Sequence, residues 1–236
     1  MAEQSNNDIT VFVVSEKQDE KTDEFVKMLR RTCGEKCNLK VFLLINPLGV
    51  GLTTIYSSVM EKEDISSEVI IYMHDDIDFL KNGWGDETLR LFKENKDYGI
   101  IGVAGSAEFD ENGAWWNYNK KYGQVLHRND GKVWLTTFSP LLDHDLEEVC
   151  VIDGLFMAVD RKRITKNFDK GIDGFDFYDI DFCLANYFDG KTKIGVTTNI
   201  RIAHNSIGKL KKSWYSNRDK INKKYMGKFP ISISKK

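Results

Sequence analysis

The stretch Val69-Ile-Ile-Tyr-Met-His-Asp-Asp-Ile-Asp-Phe79 decides how the rest of the chain is read. Its first five residues, Val69–Met73, are an apolar run that predicts a buried β-strand. Ligands of open α/β sheets bind at the carboxyl ends of the strands, and His74, Asp75, Asp76 and Asp78 crowd at that end here. Three carboxylates within four residues repel one another unless a cation or hydrogen-bond donors offset the charge. An oxygen-rich cluster of this kind suits Mg²⁺ or Mn²⁺, whose shell is completed by water and substrate phosphates. The plain alternative is a loop of solvated acids.

Working outward, residues 9–14 and 39–45 are further buried strands, the second broken by Pro47, Gly49 and Gly51. A helix lies between them, with Thr22 as its cap, Asp23 and Glu24 in its first turn, and Phe25, Met28, Leu29 and Thr32 at near-helical spacing. Residues 53–62 and 84–95 read as helices, and 98–103 as a fourth strand. Strands alternating with helices at this spacing predict right-handed β-α-β units and a mostly parallel sheet. The second half is less regular. Short strands are expected at 149–153 and 156–159, flanking Gly154, with another at 193–196. Ile180, Cys183, Leu184 and Tyr187 form an i, i+3, i+4, i+7 stripe that places a helix at 177–188.

The chain of 236 residues is long enough for one large domain that buries roughly 70% of its unfolded surface. Its apolar runs fall far short of the roughly 20 residues of a membrane helix. The first eight residues are polar and acidic where a signal peptide would be basic and apolar, so a cytoplasmic protein is expected. Four cysteines are too few for a disulfide scaffold, and no second close pair completes a zinc set with Cys33 and Cys37.

The net charge of −2 hides a partition. Residues 205–236 carry ten basic side chains against Asp219 alone, which leaves the first 204 residues with 24 basic and 35 acidic ones. An acidic body is the wrong surface for phosphate backbones, so no nucleic-acid partner is expected.

A second acidic constellation is Asp173-Gly-Phe-Asp176-Phe-Tyr-Asp179-Ile-Asp181. Asp179 and Asp181 fall at the start of the 177–188 helix, where its dipole favours carboxylates. The surrounding aromatics could also exclude water from one carboxylate and raise its proton affinity, as a general base requires. His204 gains interest only if the fold returns it to the first acidic cluster, whereas His127 and His144 read as solvated loop residues. Trp115 and Trp116 suit either core packing or stacking on a sugar ring.

Six segments in order resemble the GT-A-fold glycosyltransferases, in the bacterial glycosyltransferase-like branch related to family two. They are Ile70-Ile-Tyr-Met-His-Asp-Asp-Ile-Asp-Phe79, Ile100-Ile-Gly-Val-Ala-Gly-Ser106, Gly113-Ala-Trp-Trp116, Ile152-Asp-Gly-Leu-Phe156, Gly174-Phe-Asp-Phe-Tyr-Asp-Ile-Asp-Phe-Cys183 and His204-Asn-Ser-Ile-Gly208. The resemblance implies a GT-A (Rossmann-like) α/β fold with a central sheet flanked by helices and a smaller acceptor-side sheet. It implies a glycosyltransferase moving a sugar from a nucleotide-sugar donor to a hydroxyl of a glycan or glycolipid acceptor. Mn²⁺ or Mg²⁺ is the implied cofactor.

The family's Asp-x-Asp element looks like His74-Asp75-Asp76 here, with His at its first position, and the implied metal ligands are Asp76, Asp78 and His204. The Glu-Asp element looks like Tyr178-Asp179, with Tyr in place of Glu, and Asp179 is the implied base of an inverting reaction. Ser15, Asn46, His74, Asp75 and Asp76 fall on the donor side; Trp115, Trp116, Asp153 and Asp176 fall on the acceptor side.

The expected organisation is a catalytic domain over residues 1–208 and a basic tail over 209–236. The tail either pairs its lysines with the acidic body or meets anionic lipid, which would put the protein at a membrane surface. A nucleotidyltransferase and a non-catalytic sugar-binding module are the competing readings. The first lacks a glycine-rich phosphate loop near Val14-Ser-Glu-Lys-Gln18, and the second has no need of a base.

Overall fold

A computed structural model describes residues 7–62 and 65–234. The first half runs β1 (Asp8–Ser15), α1 (Glu20–Thr32), β2 (Asn38–Ile45), α2 (Leu52–Met60), β3 (Val69–Met73), β4 (Ile77–Phe79), α3 (Trp84–Glu94) and β5 (Tyr98–Gly102). Short strands follow: β6 (Ala104–Ser106), β7 (Glu108–Phe109), β8 (Lys121–Asn129), β9 (Lys132–Thr137), β10 (Glu147–Val149), β11 (Val151–Ile152) and β12 (Phe156–Asp160). The chain ends with α4 (Tyr178–Asp189), β13 (Lys193–Val196), β14 (Ile202–His204), α5 (Lys212–Lys224) and β15 (Ile231–Ser232).

The fold is α/β, with one large sheet, flanking helices and a second, smaller sheet. The large sheet has the order β10-β13-β5-β12-β3-β1-β2. Helices α1 and α2 are crossovers, and a strand that returns through a crossover pairs in parallel, as β1 does with β2 and β3. Where a mostly parallel sheet was expected, the pairing is evenly mixed. Strand β12 enters between β3 and β5 antiparallel to both, and β10 runs antiparallel to β13. The reason lies in the connection: β12 follows β11 through a tight turn at Gly154, with no helix to reverse its direction.

That inversion helps to build the site. Phe156, the first residue of β12, lies opposite Met73, the last of β3, so Asp153 and Gly154 come to the edge that carries His74. The second sheet has the order β11-β6-β8-β14-β4, with β9 added to β8. There β14 pairs with β4, which places His204 opposite Ile77, and with β8, which places it opposite His127. The expected strand at 149–153 is two strands in two sheets, and the chain changes sheet at Cys150.

Helix α1 buries Phe25, Leu29 and Thr32, as the spacing predicted, but its cap is Asp19. Thr22 is the third helical residue and returns the hydrogen bond, its hydroxyl accepting from the Asp19 N–H at 2.9 Å while the Asp19 carboxylate accepts from the Thr22 N–H at 3.1 Å. This reciprocal pair satisfies two backbone donors that the helix leaves open.

Through α5 and β15 the basic tail lies against the body. Helix α5 buries Trp214, Asn217 and Ile221, and β15 pairs with β7. Asp181 is 1% exposed; its carboxylate accepts from the Lys224 ammonium at 2.8 and 2.9 Å and from the Tyr225 hydroxyl at 2.9 Å. Removing the cation would strand a buried charge, so Lys224→Ala is expected to cost about 2–3 kcal/mol, somewhat below the figure for a fully buried pair because Lys224 is partly exposed. Urea unfolding of the two chains checks this.

Candidate active site

The carboxyl edge of β1, β2 and β3 opens onto a cleft of about 480 Å³ lined by Ser15, Asn46, Tyr56, His74 and Asp75. The Ser15 hydroxyl donates to the Asp75 carboxylate at 2.5 Å. Asn46 spends its carboxamide on its own loop, donating to the Val50 carbonyl and accepting from the Val50 N–H, both at 2.8 Å. It shapes this cleft rather than offering a free side chain to it.

A larger cleft of about 790 Å³ adjoins the first, and His74 and Phe175 line both. At the junction His74, Asp76 and His204 gather, each offering a ligand atom within 4.8 Å of the others. Nδ1 of His74 lies 3.7 Å from Oδ1 of Asp76, and Nε2 of His204 lies 3.4 Å from Oδ2. The β4–β14 pairing makes this cluster, helped by the Asn205 N–H donating to the Asp76 carbonyl at 2.8 Å. Burial alone would raise the proton affinity of Asp76, but the hydrogen bond from His204 and the two imidazoles hold its carboxyl well below the usual range. Burial pushes the His74 imidazole down, toward the neutral form that can ligate. Oδ1 of Asp76 is buried with no hydrogen-bond partner, so the donor set fits a cation.

Asp78, expected as a ligand, stands outside this cluster. Strand β4 buries Ile77 and Phe79, and the pleat turns Asp78 to the other face. There it takes the Arg128 guanidinium at 2.7 Å and the Asn205 amide at 3.0 Å.

The other acidic constellation meets the cluster through the first turn of α4. Phe177, just before the helix, has φ +66°, a left-handed conformation rare for a bulky side chain, held by burial against Trp214. The turn points Asp179 back at the β11–β12 connection. Its carboxylate accepts from the Gly154 N–H at 2.7 Å and from its neighbour Ile180 at 2.8 Å. Gly154 is required there, because a Cβ would lie 1.9 Å from the Tyr178 hydroxyl oxygen. Burial, followed by the charge of Asp153, pushes Asp179 up to about 7 despite those donors.

Trp115, Trp116, Asp153 and Asp176 all line the larger cleft. Trp115 is buried and packs on Phe138, with ring centres 4.9 Å apart, and Trp116 packs on Trp214. Asp153 accepts from the Leu155 N–H, and Asp176 from the Ser213 hydroxyl at 2.6 Å.

Two further wall residues are His127 and Trp134. They face each other across the β8–β9 hairpin and stack with ring centres 5.2 Å apart. His127, expected to be solvated, also lies 5.7 Å from the His204 ring. The signal that would have found them is Asn129-Asp-Gly131: the two-residue turn at Asp130 and Gly131, both at positive φ, fixes the register that sets His127 opposite Trp134. His144 pairs with Asp143 and Glu147, on another part of the surface.

A helix-flanked sheet with paired clefts and a His/Asp cluster at their junction fits a glycosyltransferase of GT-A fold. The chain belongs to the glycosyltransferase-like family, whose model matches residues 11–225.

One solved structure supports the fold. GalNAc-T7, crystallised with UDP, GalNAc and Mn²⁺, superposes with a TM-score of 0.52 at 12% identity, over 92% of this chain and 47% of its own. This chain thus spans about half the length of that protein. A197 from STIV gives a TM-score of 0.47 at 11% identity, over 84% of this chain and 86% of its own. No curated protein matches the sequence.

The raised proton affinity of Asp179 has a stability consequence. A carboxyl that binds its proton more tightly when folded favours the folded state at low pH, and that contribution is lost as pH rises through the folded value. In the presence of a chelator the chain is expected to lose stability between about pH 4 and pH 7, the unfolded and folded positions of this group. Asp179→Asn, which keeps an acceptor for the Gly154 N–H, is expected to remove that part of the slope in urea titrations across the range.

Proposed function

We propose that this chain transfers a sugar from a nucleotide-sugar donor to a hydroxyl of a glycan or glycolipid acceptor, with inversion and with Asp179 as general base. The observation that carries the reading is the position of Asp179. It lies in the larger cleft, across the Gly154 turn from the His74, Asp76 and His204 cluster, with a proton affinity tuned to about 7. A base is most effective when its pKa lies near the working pH.

In this reading the smaller cleft takes the nucleotide, with Ser15 and Asp75 as its polar contacts and Asn46 shaping its wall. His74, Asp76 and His204 would hold a divalent ion, and two imidazoles favour Mn²⁺ over Mg²⁺. When bound, such an ion neutralises charge on the departing diphosphate. The Mn²⁺ and UDP of the GalNAc-T7 structure support this assignment by fold analogy.

The aromatic wall of Trp116 and Trp134, with the buried Trp115 behind it, suits stacking on an acceptor sugar, with Asp153 and Asp176 available to its hydroxyls. Asp179 takes the proton of the attacking hydroxyl as the anomeric carbon passes through an oxocarbenium-like state. The acidic body supports the absence of a nucleic-acid partner.

Four free cysteines, three of them buried, support a reducing, cytoplasmic location. No helix among the described residues is long and apolar enough to cross a membrane. With Trp214, Tyr225 and Lys224 engaged by the body, membrane contact by the tail would fall to its exposed side chains, among them Lys209, Leu210, Lys211, Tyr215 and Met226.

A thermal-shift and transfer screen of nucleotide sugars with Mn²⁺ tests the reading. The matching donor is expected to raise the unfolding temperature only with the metal, and Asp76→Ala to abolish that rise. Asp179→Asn is expected to lower turnover by about 10²–10⁴-fold with donor binding retained. In the unsubstituted enzyme kcat/KM is expected to fall as pH drops below about 7. Donor stabilisation independent of metal, or turnover surviving in Asp179→Asn, would remove the corresponding role.

A further inference from the structure

Two positions at which this sequence departs from the glycosyltransferase pattern, His74 and Tyr178, lie 104 residues apart and touch. Nε2 of His74 and the Tyr178 hydroxyl are 3.0 Å apart. The opposite nitrogen, Nδ1, faces Asp76. Tyr178 is 3% exposed, and among the described residues its hydroxyl has His74 as its one hydrogen-bond partner. Gly154 leaves the space that the hydroxyl occupies, since a Cβ there would meet the oxygen at 1.9 Å.

We propose that Tyr178 is the positioning residue of the metal centre: with an ion bound, its hydroxyl would accept the Nε2–H of His74 and so hold Nδ1 bare and turned to ligate beside Asp76. The inference rests on the divalent-ion reading of that cluster. An imidazole ligand has one nitrogen for the ion, and the partner of the other nitrogen decides which one carries the proton and how the ring is turned.

A phenol does this without adding charge. A carboxylate in its place could accept the same proton, but it would put another anion beside Asp179 and Asp153, where mutual repulsion already opposes ionisation. His74 and Tyr178 therefore form a matched pair. Tyr178 is also the residue before Asp179 in the first turn of α4, so the group that orients the metal ligand and the group that takes the acceptor proton share one rigid element.

Titration of the chain with Mn²⁺ alone, by calorimetry and by electron paramagnetic resonance, tests this in the parent and in Tyr178→Phe. The variant is expected to bind Mn²⁺ about 10–100-fold more weakly. In ¹⁵N-histidine spectra of the chain loaded with diamagnetic Zn²⁺, the parent His74 is expected to carry its proton on Nε2, and Tyr178→Phe to lose that population. The tautomer would not respond to a merely structural role. Equal Mn²⁺ affinity in the two chains, or a loaded parent whose His74 is protonated on Nδ1, would overturn the proposal for Tyr178 while leaving the metal site standing. Failure of the parent to bind Mn²⁺ at all would overturn both.

Discussion

The approach of helix α4 to the β11–β12 turn at Gly154 is the contact on which the site depends. One residue without a side chain meets two demands at once: its N–H is held by the Asp179 carboxylate, and its missing Cβ leaves room for the Tyr178 hydroxyl. The proposed metal side and the proposed base side of the cleft are thereby referred to a single point of the backbone. The left-handed Phe177 that enters the helix is the conformational expense of this approach, of order 1–3 kcal/mol, offset by burying its ring.

Charge is arranged around that contact with similar economy. Three of the acids that crowd the two motifs are matched to other groups: Asp78 to Arg128, Asp181 to Lys224 and Asp75 to the Ser15 hydroxyl. Asp76 and Asp179, the two given chemistry in the proposed reaction, are driven in opposite directions. Neighbouring imidazoles lower the proton affinity of Asp76, whereas burial and Asp153 raise that of Asp179. Two carboxylates of the same kind thus come to suit a cation and a proton respectively.

Much of this was legible in the sequence where local pattern decides local structure. The apolar runs of β1, β2 and β3 and the stripe of α4 are continuous signals, and they carry Ser15, His74, Asp76 and Asp179 with them. Less legible were the features set by pairing between distant segments. Nothing in Phe156–Asp160 says that it will insert antiparallel between β3 and β5, because direction is fixed by the connection and not by composition. The assignment of Asp78 as a ligand failed for a related reason. Adjacent acids look alike in sequence, but the two-residue period of β4 sends Asp78 to the face opposite its buried neighbours, a distinction that exists only once the strand is recognised. His127 could have been found, since Asp130-Gly131 is a strong hairpin signal, but its meeting with His204 needed the parallel pairing of β8 with β14.

The change of sheet at Cys150 has a mechanical side. Strands β10 and β11 are separated by that one residue, whose N–H and thiol both bond the Ser106 carbonyl, so the two sheets are joined with almost no slack. The ligand cluster straddles the same boundary: His74 follows β3 of the large sheet, and His204 ends β14 of the small one. A cation held between them would act as a second rivet, fastening the sheets at the cleft as the chain fastens them at Cys150. Its grip would then report any hinge motion between the sheets, and opening of the cleft and release of the ion would be one event.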